Sequence, residues 1–185
     1  YELLDVHFDV QLGESFYNPS LAPLVEKLLS LGLAEVSEGA VVCPVAGEAV
    51  PLLVQKSDGG FLYGTTDIAT ALYRVATWNP SRILYVVGEP QKLHLRLTFA
   101  VSKKLGVACA LEHISFGTMK FLDPETQEFV AGSTRKGNVP SLDTLITEAL
   151  QHAEQVVREK TTVEHDPRAV EVARRNCRYV PAQIV

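Results

Sequence analysis

Ile83 to Val87 is an unbroken apolar run of strand length, preceded by Arg82 and stopped by Gly88. Behind it Leu93, Leu97, Ala100, Val101 and Leu105 recur at helical spacing. An apolar run without alternation fits a strand of a parallel sheet, whose two faces are both covered. Strand, glycine turn and helix make half of a βαβ unit, and His113-Ile114-Ser115-Phe116-Gly117 supplies the next strand. The spacing therefore predicts a parallel α/β sheet, with ligand sites beyond the carboxyl ends of its strands.

The flanking segments carry other periods. Asn18 and Pro19 read as N-cap and first-turn residues, and Leu21, Leu24, Val25 and Leu28 keep one helical face until Gly32, which predicts a helix over 19–31. Between Ala34 and Val54, the stretches Ala40 to Cys43 and Pro51 to Val54 are separated by Gly47-Glu48, as in a small antiparallel sheet. Lys56-Ser57-Asp58-Gly59-Gly60 reads as a turn, with Phe61-Leu62-Tyr63 returning as a strand. Thr65 or Thr66 is the expected cap of a helix with Ile68, Ala71, Leu72 and Val75 on one face, ending after Trp78 at Asn79-Pro80-Ser81. Asp123-Pro124-Glu125-Thr126 reads as a turn. Ser141 caps a last long helix with Leu142, Leu145, Ile146, Ala149, Leu150 and Ala153 inward.

Composition narrows the function classes. With 185 residues, 46% of them apolar, the chain suffices for one packed domain burying roughly 70% of its unfolded surface. Its apolar runs fall well short of the ~20 residues of a membrane span, so no membrane association is expected. The N-terminus has neither a basic region nor an apolar core, and Tyr1 is read as an internal position of something longer. Cys43, Cys109 and Cys177 suit neither a disulfide framework nor a zinc site, and both Asn-Pro-Ser triplets carry proline where glycosylation forbids it. The expected compartment is the reducing cytoplasm. A formal charge of −5 leaves no global footprint for nucleic acid, so any RNA contact is local. His7, His94, His113, His152 and His165 form no metal-binding spacing. The phosphate-binding glycine loops and the serine-nucleophile elbow are absent as well.

Four places carry candidate chemistry. Gly88-Glu89-Pro90-Gln91 opens a helix at a strand's carboxyl end, with Gln91 and His94 one turn apart; the alternative is that both cap or solvate that helix. Tyr63 and Asp67 lie four apart at a strand-to-helix junction, where a carboxylate stays ionised and accepts a guanidinium or ammonium group. The alternative is an ordinary first-turn aspartate. In Ser133-Thr134-Arg135-Lys136-Gly137-Asn138 two adjacent cations can stabilise charge developing on the α-phosphate of ATP as a carboxylate attacks it, or they are solvated loop charges. Glu14, in Gly13-Glu14-Ser15-Phe16-Tyr17, is a ligand or a surface acid beside aromatic residues.

Taken together, these stretches resemble the catalytic domain of arginyl-tRNA synthetases, which are class I aminoacyl-tRNA synthetases. The matching strings are Val6-His7-Phe8-Asp9 with Gly13-Glu14-Ser15, then Gln55-Lys56-Ser57-Asp58-Gly59-Gly60-Phe61-Leu62-Tyr63-Gly64-Thr65-Thr66-Asp67-Ile68-Ala69 with Tyr73-Arg74. They continue with Tyr85-Val86-Val87-Gly88-Glu89-Pro90-Gln91-Lys92-Leu93-His94, Phe116-Gly117-Thr118-Met119 and the 133–138 loop. The resemblance covers about residues 1–160 and implies an α/β fold: part of a class I synthetase Rossmann-like nucleotide-binding fold, with a parallel sheet and a small antiparallel insertion near 34–63. It implies an L-arginine pocket in which Asp67 and Glu14 meet the cationic groups while Tyr63 and Gln91 orient the ligand. Gly88, His94, Phe116, Gly117 and Met119 border ATP, which brings Mg2+, with no tightly bound protein metal. A fixed carboxylate suits a planar guanidinium fork, which lysine lacks.

The 133–138 loop occupies the place of the class I lysine-serine signature, with Thr134 where its central lysine stands. Arg135 and Lys136 are then the nearest cations for catalysis. The His-x-Gly-His signature is absent from the sequence, and the chain is expected to begin after it, so the chain alone is expected to be inactive in aminoacylation. Residues 1–160 read as a partial catalytic domain and 161–185 as a helical tail poorly matched to the family. That tail starts at Asp166-Pro167 and is made basic by Arg168, Arg174, Arg175 and Arg178, a tRNA-phosphate contact or a solvated helix face. The implied reaction is ATP-dependent formation of arginyl-adenylate and transfer to tRNA(Arg) through the full-length enzyme, with an N-terminal catalytic half and an anticodon-binding domain elsewhere. The alternatives are a stand-alone arginine-binding paralogue and a fragment that complements a separate half.

Overall fold

The computed structural model describes residues 1, 5–118, 120–122, 126–131 and 141–160. Met119, Asp123 to Glu125, Arg135, Lys136 and residues 161–185, with the expected tail helix, lie outside the described residues. The chain divides into two compact units, one of Leu12–Thr118 and one of Tyr1–Gln11 with the described residues beyond 118.

In the first unit, a 3-10 turn at Glu14–Tyr17 runs straight into α1 (Asn18–Ser30). Asn18 is therefore not the cap expected from the sequence. The Phe16 N–H already bonds the Gly13 carbonyl at 3.1 Å, so the backbone is helical before Asn18, and Tyr17 takes the N-cap place without a side-chain bond. Leu21, Leu24, Val25 and Leu28 bury the expected face. The helix ends in a Schellman motif: Gly32 adopts φ 64°, and the Leu33 and Gly32 N–H groups bond the Leu28 and Leu29 carbonyls.

A small antiparallel sheet follows, in the order β1 (Glu35–Ser37), β2 (Ala40–Cys43), β3 (Leu52–Gln55). Glu38 and Gly39 both take positive φ between the first two strands, the two-residue hairpin whose twist matches its strands. After β3 the Lys56–Gly60 turn closes as expected, with the Lys56 N–H on the Gly60 carbonyl at 2.8 Å. The expected strand 61–63 reduces to one bridge between Gln55 and Phe61, because Tyr63 is already the first residue of α2 (Tyr63–Trp78). Neither Thr65 nor Thr66 caps this helix: Leu62 holds the N-cap position, and the buried Thr65 hydroxyl donates to the Val54 carbonyl in β3.

β4 (Arg82–Gly88) and β5 (Ala110–Phe116) pair in parallel over their whole length, from Arg82 opposite Ala110 to Gly88 opposite Phe116, and α3 (Lys92–Lys104) makes the crossover. This is the predicted βαβ unit in a mixed α/β fold with a parallel sheet and a small antiparallel one. Ile83, Tyr85 and Leu111 point into a core with Leu95 and Val107. The other sheet face, with Leu84, Val86, Ile114 and Phe116, is left open within this unit. A second core joins α1, the small sheet, α2 and the Leu97 and Val101 side of α3, and Leu72 packs against both cores.

In the other unit, β6 (Lys120–Leu122) and β7 (Phe129–Ala131) pair antiparallel, and the turn expected at 123–126 falls mostly outside the described residues. Ser141 caps α4 (Leu142–Lys160) as predicted, accepting the Thr144 N–H at 3.1 Å. Leu145, Ile146, Ala149, Leu150 and Ala153 are half-buried, but Leu142 is exposed, being at the first position of the helix. No helix among the described residues is long and apolar enough to cross a membrane.

Candidate functional site

The carboxyl ends of the parallel strands bring Gly88 and Phe116 side by side in the last rung of the ladder, with Gly117 following and exposed. Gly88 has φ −59°, which any residue adopts, and a Cβ there would stand 3.6 Å from Pro90 and 3.8 Å from the Phe116 ring. Neither backbone conformation nor packing within this unit demands a glycine at that point. The chain then makes a 3-10 turn, Glu89–Gln91, and enters α3. Gln91 takes the N-cap place of α3 but bonds no backbone group there, and it is exposed.

His94, on the first turn of α3, reaches across to α2, where its Nε2 lies 2.6 Å from Oδ2 of Asp67. Both side chains are about a third exposed, 30% for His94 and 33% for Asp67. The helix-solvating alternative for His94 thus gives way to a specific partner 27 residues away in sequence. Asp67 is also not a first-turn aspartate, because α2 starts at Tyr63 and the carboxylate falls in the second turn. Its electrostatic partner is the imidazole, since the favourable field of a helix N-terminus fades within the first turn.

Tyr63 is held at the mouth of a cavity of about 410 Å³ between β3, the start of α2 and the start of α3. Leu52, Leu62, Pro90, Leu93 and His94 line it as well. Gly64 sets this geometry. A Cβ there would lie 2.9 Å from Leu52 Cδ1 and 3.0 Å from the Leu53 carbonyl oxygen, so only glycine lets α2 lie this close to β3. Tyr63 itself is 67% exposed.

Glu14 is exposed on its 3-10 turn, and among the described residues it makes no hydrogen bond or ion pair. The turn is seated on α2 by rings: Phe16 and Tyr17 meet Tyr73 edge-on at centroid distances of 5.1 and 5.7 Å. Tyr73 stands six residues past Asp67, about 9 Å along the helix axis. The structure therefore brings Tyr63, Asp67, Gln91 and His94 around the facing starts of α2 and α3. Glu14 sits on a separate turn against the same helix.

Two neighbours escaped the sequence reading. Tyr85, buried in β4, has a hydroxyl that meets no geometric hydrogen-bond partner among the described residues, and the Arg74 guanidinium lies 5.6 Å from its ring centroid. Burial pushes the Tyr85 phenol up, the Arg74 charge pulls it down and the Asp67 carboxylate pushes it up again. Arg74 follows Asp67 by seven residues on α2, a same-face spacing that was the available signal. Glu89 also joins the site's edge: the Lys92 ammonium, 3.0 Å away, and the Ser115 hydroxyl hold its carboxyl below the usual range. Among the described residues no group of three His, Cys, Asp or Glu side chains is placed to hold a metal ion.

Comparison with known proteins shows the family of the chain. A family model described as tRNA synthetases class I (R), catalytic domain, matches residues 1–173. The arginine–tRNA ligase of Rhodopirellula baltica is 42% identical over 158 residues, covering 85% of this chain and 23% of that protein. That of Cellvibrio japonicus is 42% identical over 172 residues, covering 88% of this chain and 29% of that protein. The crystal structure of arginyl-tRNA synthetase from Plasmodium falciparum superposes with a TM-score of 0.73 at 25% identity, covering 96% of this chain and 29% of that one. The chain thus spans between a quarter and a third of the Cellvibrio and Plasmodium proteins and slightly less of the Rhodopirellula one.

Proposed function

The chain belongs to the family of class I tRNA synthetases for arginine, within their catalytic domain, and from that premise we propose that it holds the arginine pocket and the strand-end part of the nucleotide site of an arginine–tRNA ligase. In the whole enzyme the carboxylate of L-arginine attacks the α-phosphorus of ATP and pyrophosphate departs. A ribose hydroxyl at the 3′ end of tRNA(Arg) then takes the arginyl group and AMP leaves. Mg2+ enters with ATP as part of the substrate, and no covalent enzyme intermediate is formed.

The observation that carries this reading is Asp67, a carboxylate bonded on one side by His94, whose ring lines the same cavity as Tyr63. A guanidinium fork takes two parallel hydrogen bonds from such a group, and a competitor without the fork leaves acceptors unpaired. Tyr63 and Gln91 orient the amino acid, and Glu14 takes its remaining cationic group. Gly88, Phe116 and Gly117 lie beside ATP at the strand ends together with His94 and Met119. The bare Gly88 backbone, unexplained by φ or by packing, leaves room for a nucleotide. Arg135 and Lys136 stabilise charge on the reacting phosphate. Residues 1–160 are the partial catalytic domain and 161–185 a tail. The tRNA-anticodon contacts and the remaining catalytic half belong to the rest of the enzyme, which works in the cytoplasm.

Calorimetry of this chain with L-arginine, L-lysine and the Asp67→Asn variant tests the pocket. Arginine is expected to bind at least about tenfold more tightly than lysine, and the variant to lose that preference. Equal binding of the two amino acids by the unaltered chain rejects the reading.

A further inference from the structure

We propose that His94 is a positioning residue of the amino-acid pocket: it fixes the Asp67 carboxylate for a guanidinium. This rests on the arginine-pocket reading above. An ionised carboxylate only accepts hydrogen bonds, so the 2.6 Å contact requires that His94 carry its proton on Nε2. In the neutral ring Nδ1 is then left as an acceptor. Oδ2 of Asp67 is engaged, while Oδ1 has no partner among the described residues. Oδ2 also keeps a second lone pair, so a two-pronged donor still finds both oxygens.

The choice of imidazole is what separates this carboxylate from its neighbours. Glu89 is bonded to the ammonium of Lys92 at 3.0 Å, and Glu48 to the guanidinium of Arg96 at 2.6 Å. Both carry permanent cations that satisfy them. Asp67 is held instead by an imidazole, a donor that carries no permanent charge. His94 comes from α3 and Asp67 from α2, and the two helices share a packed core through Leu97, Val101, Ile68 and Ala69. The contact is thus locked by the fold and does not depend on two free surface side chains finding each other.

The test is arginine affinity of the full chain in the absence of nucleotide, for the unaltered protein, His94→Phe and His94→Gln. Phenylalanine removes the donor, whereas the glutamine amide places an N–H close to the position of Nε2. The expected result is about a tenfold or greater loss for His94→Phe and recovery to within about threefold for His94→Gln, as for a hydrogen bond to a charged group. A role confined to the nucleotide would leave all three affinities alike, and that outcome overturns the proposal while the arginine pocket stands. Failure of the unaltered chain to bind arginine overturns the pocket itself and the proposal with it. Nitrogen-15 spectra of the His94 ring give a reading free of ligand. An Nε2–H tautomer that is lost in Asp67→Asn is expected, and an Nδ1–H tautomer in the unaltered chain overturns the proposal.

Discussion

Thr65, in the first turn of α2, donates its hydroxyl to the carbonyl of Val54 in β3, and neither residue has any exposed surface. With Gly64 beside it admitting the Leu53 carbonyl, this bond sets how deeply the start of α2 sits against the small sheet. That depth in turn fixes Tyr63 and Asp67. Thr65→Val keeps the shape and deletes the donor, and is expected to destabilise the fold by about 1–2 kcal/mol. The check is a urea unfolding midpoint beside Thr65→Ser, which retains the hydroxyl and should lose less. A larger loss in Thr65→Ser than in Thr65→Val would show that the methyl group, not the bond, carries the stability.

Gly88→Ala separates fold from ligand. Because a Cβ at this position meets only ordinary contacts, stability should stay within about 0.5 kcal/mol of the unaltered chain. Nucleotide binding should weaken, as the methyl group stands at the strand end facing Phe116. A substantial fall in thermal midpoint would instead reveal a packing role.

The Glu89 carboxyl titrates below the ordinary carboxylate range because Lys92 bonds it. A lowered value in the folded chain means the interaction is fully present above the unfolded carboxyl's pKa and is lost as pH falls through the folded one. Carbon-13 titration of Glu89 should therefore give a low midpoint that rises toward about 4.3 in Lys92→Gln. Added salt should raise it as well, since both groups are exposed. A midpoint indifferent to Lys92 would contradict the assignment.

Cys43 has no exposed surface, and burial pushes its thiol up to about 11. An unfolded cysteine ionises near about 8.5, so between that pH and about 11 the unfolded state loses a proton the native state keeps, and stability declines as pH rises. Alkylation at pH 8 followed by peptide mass analysis should find Cys109, which is half-buried, modified well before Cys43. Rapid native labelling of Cys43 would refute this.

The strand, glycine and helix of the βαβ unit were legible because an unbroken apolar run and a 3.6-residue stripe are local signals, and the ladder from Arg82 to Gly88 followed from them. The start of α2 was not. Thr65 and Thr66 look like caps, but the Thr65 hydroxyl finds a better use in tying the helix to β3, a tertiary choice that no neighbouring residue announces. That shift of three or four residues moved Asp67 from the first turn to the second and replaced a helix-end field with an imidazole. The partners His94 and Asp67 were each singled out, yet their pairing across 27 residues leaves no mark in spacing. Asn18 was misread for the converse reason: the turn before it had already wound the backbone.

Leu72 lies on the boundary between the two cores of the 12–118 unit and belongs to both. Denaturant should therefore meet a single melting step there, since neither half can loosen without dragging on a shared side chain. Amide exchange in α1 and in β5 should slow and quicken together, even though one helix and one strand at opposite ends of the unit have no sequence in common.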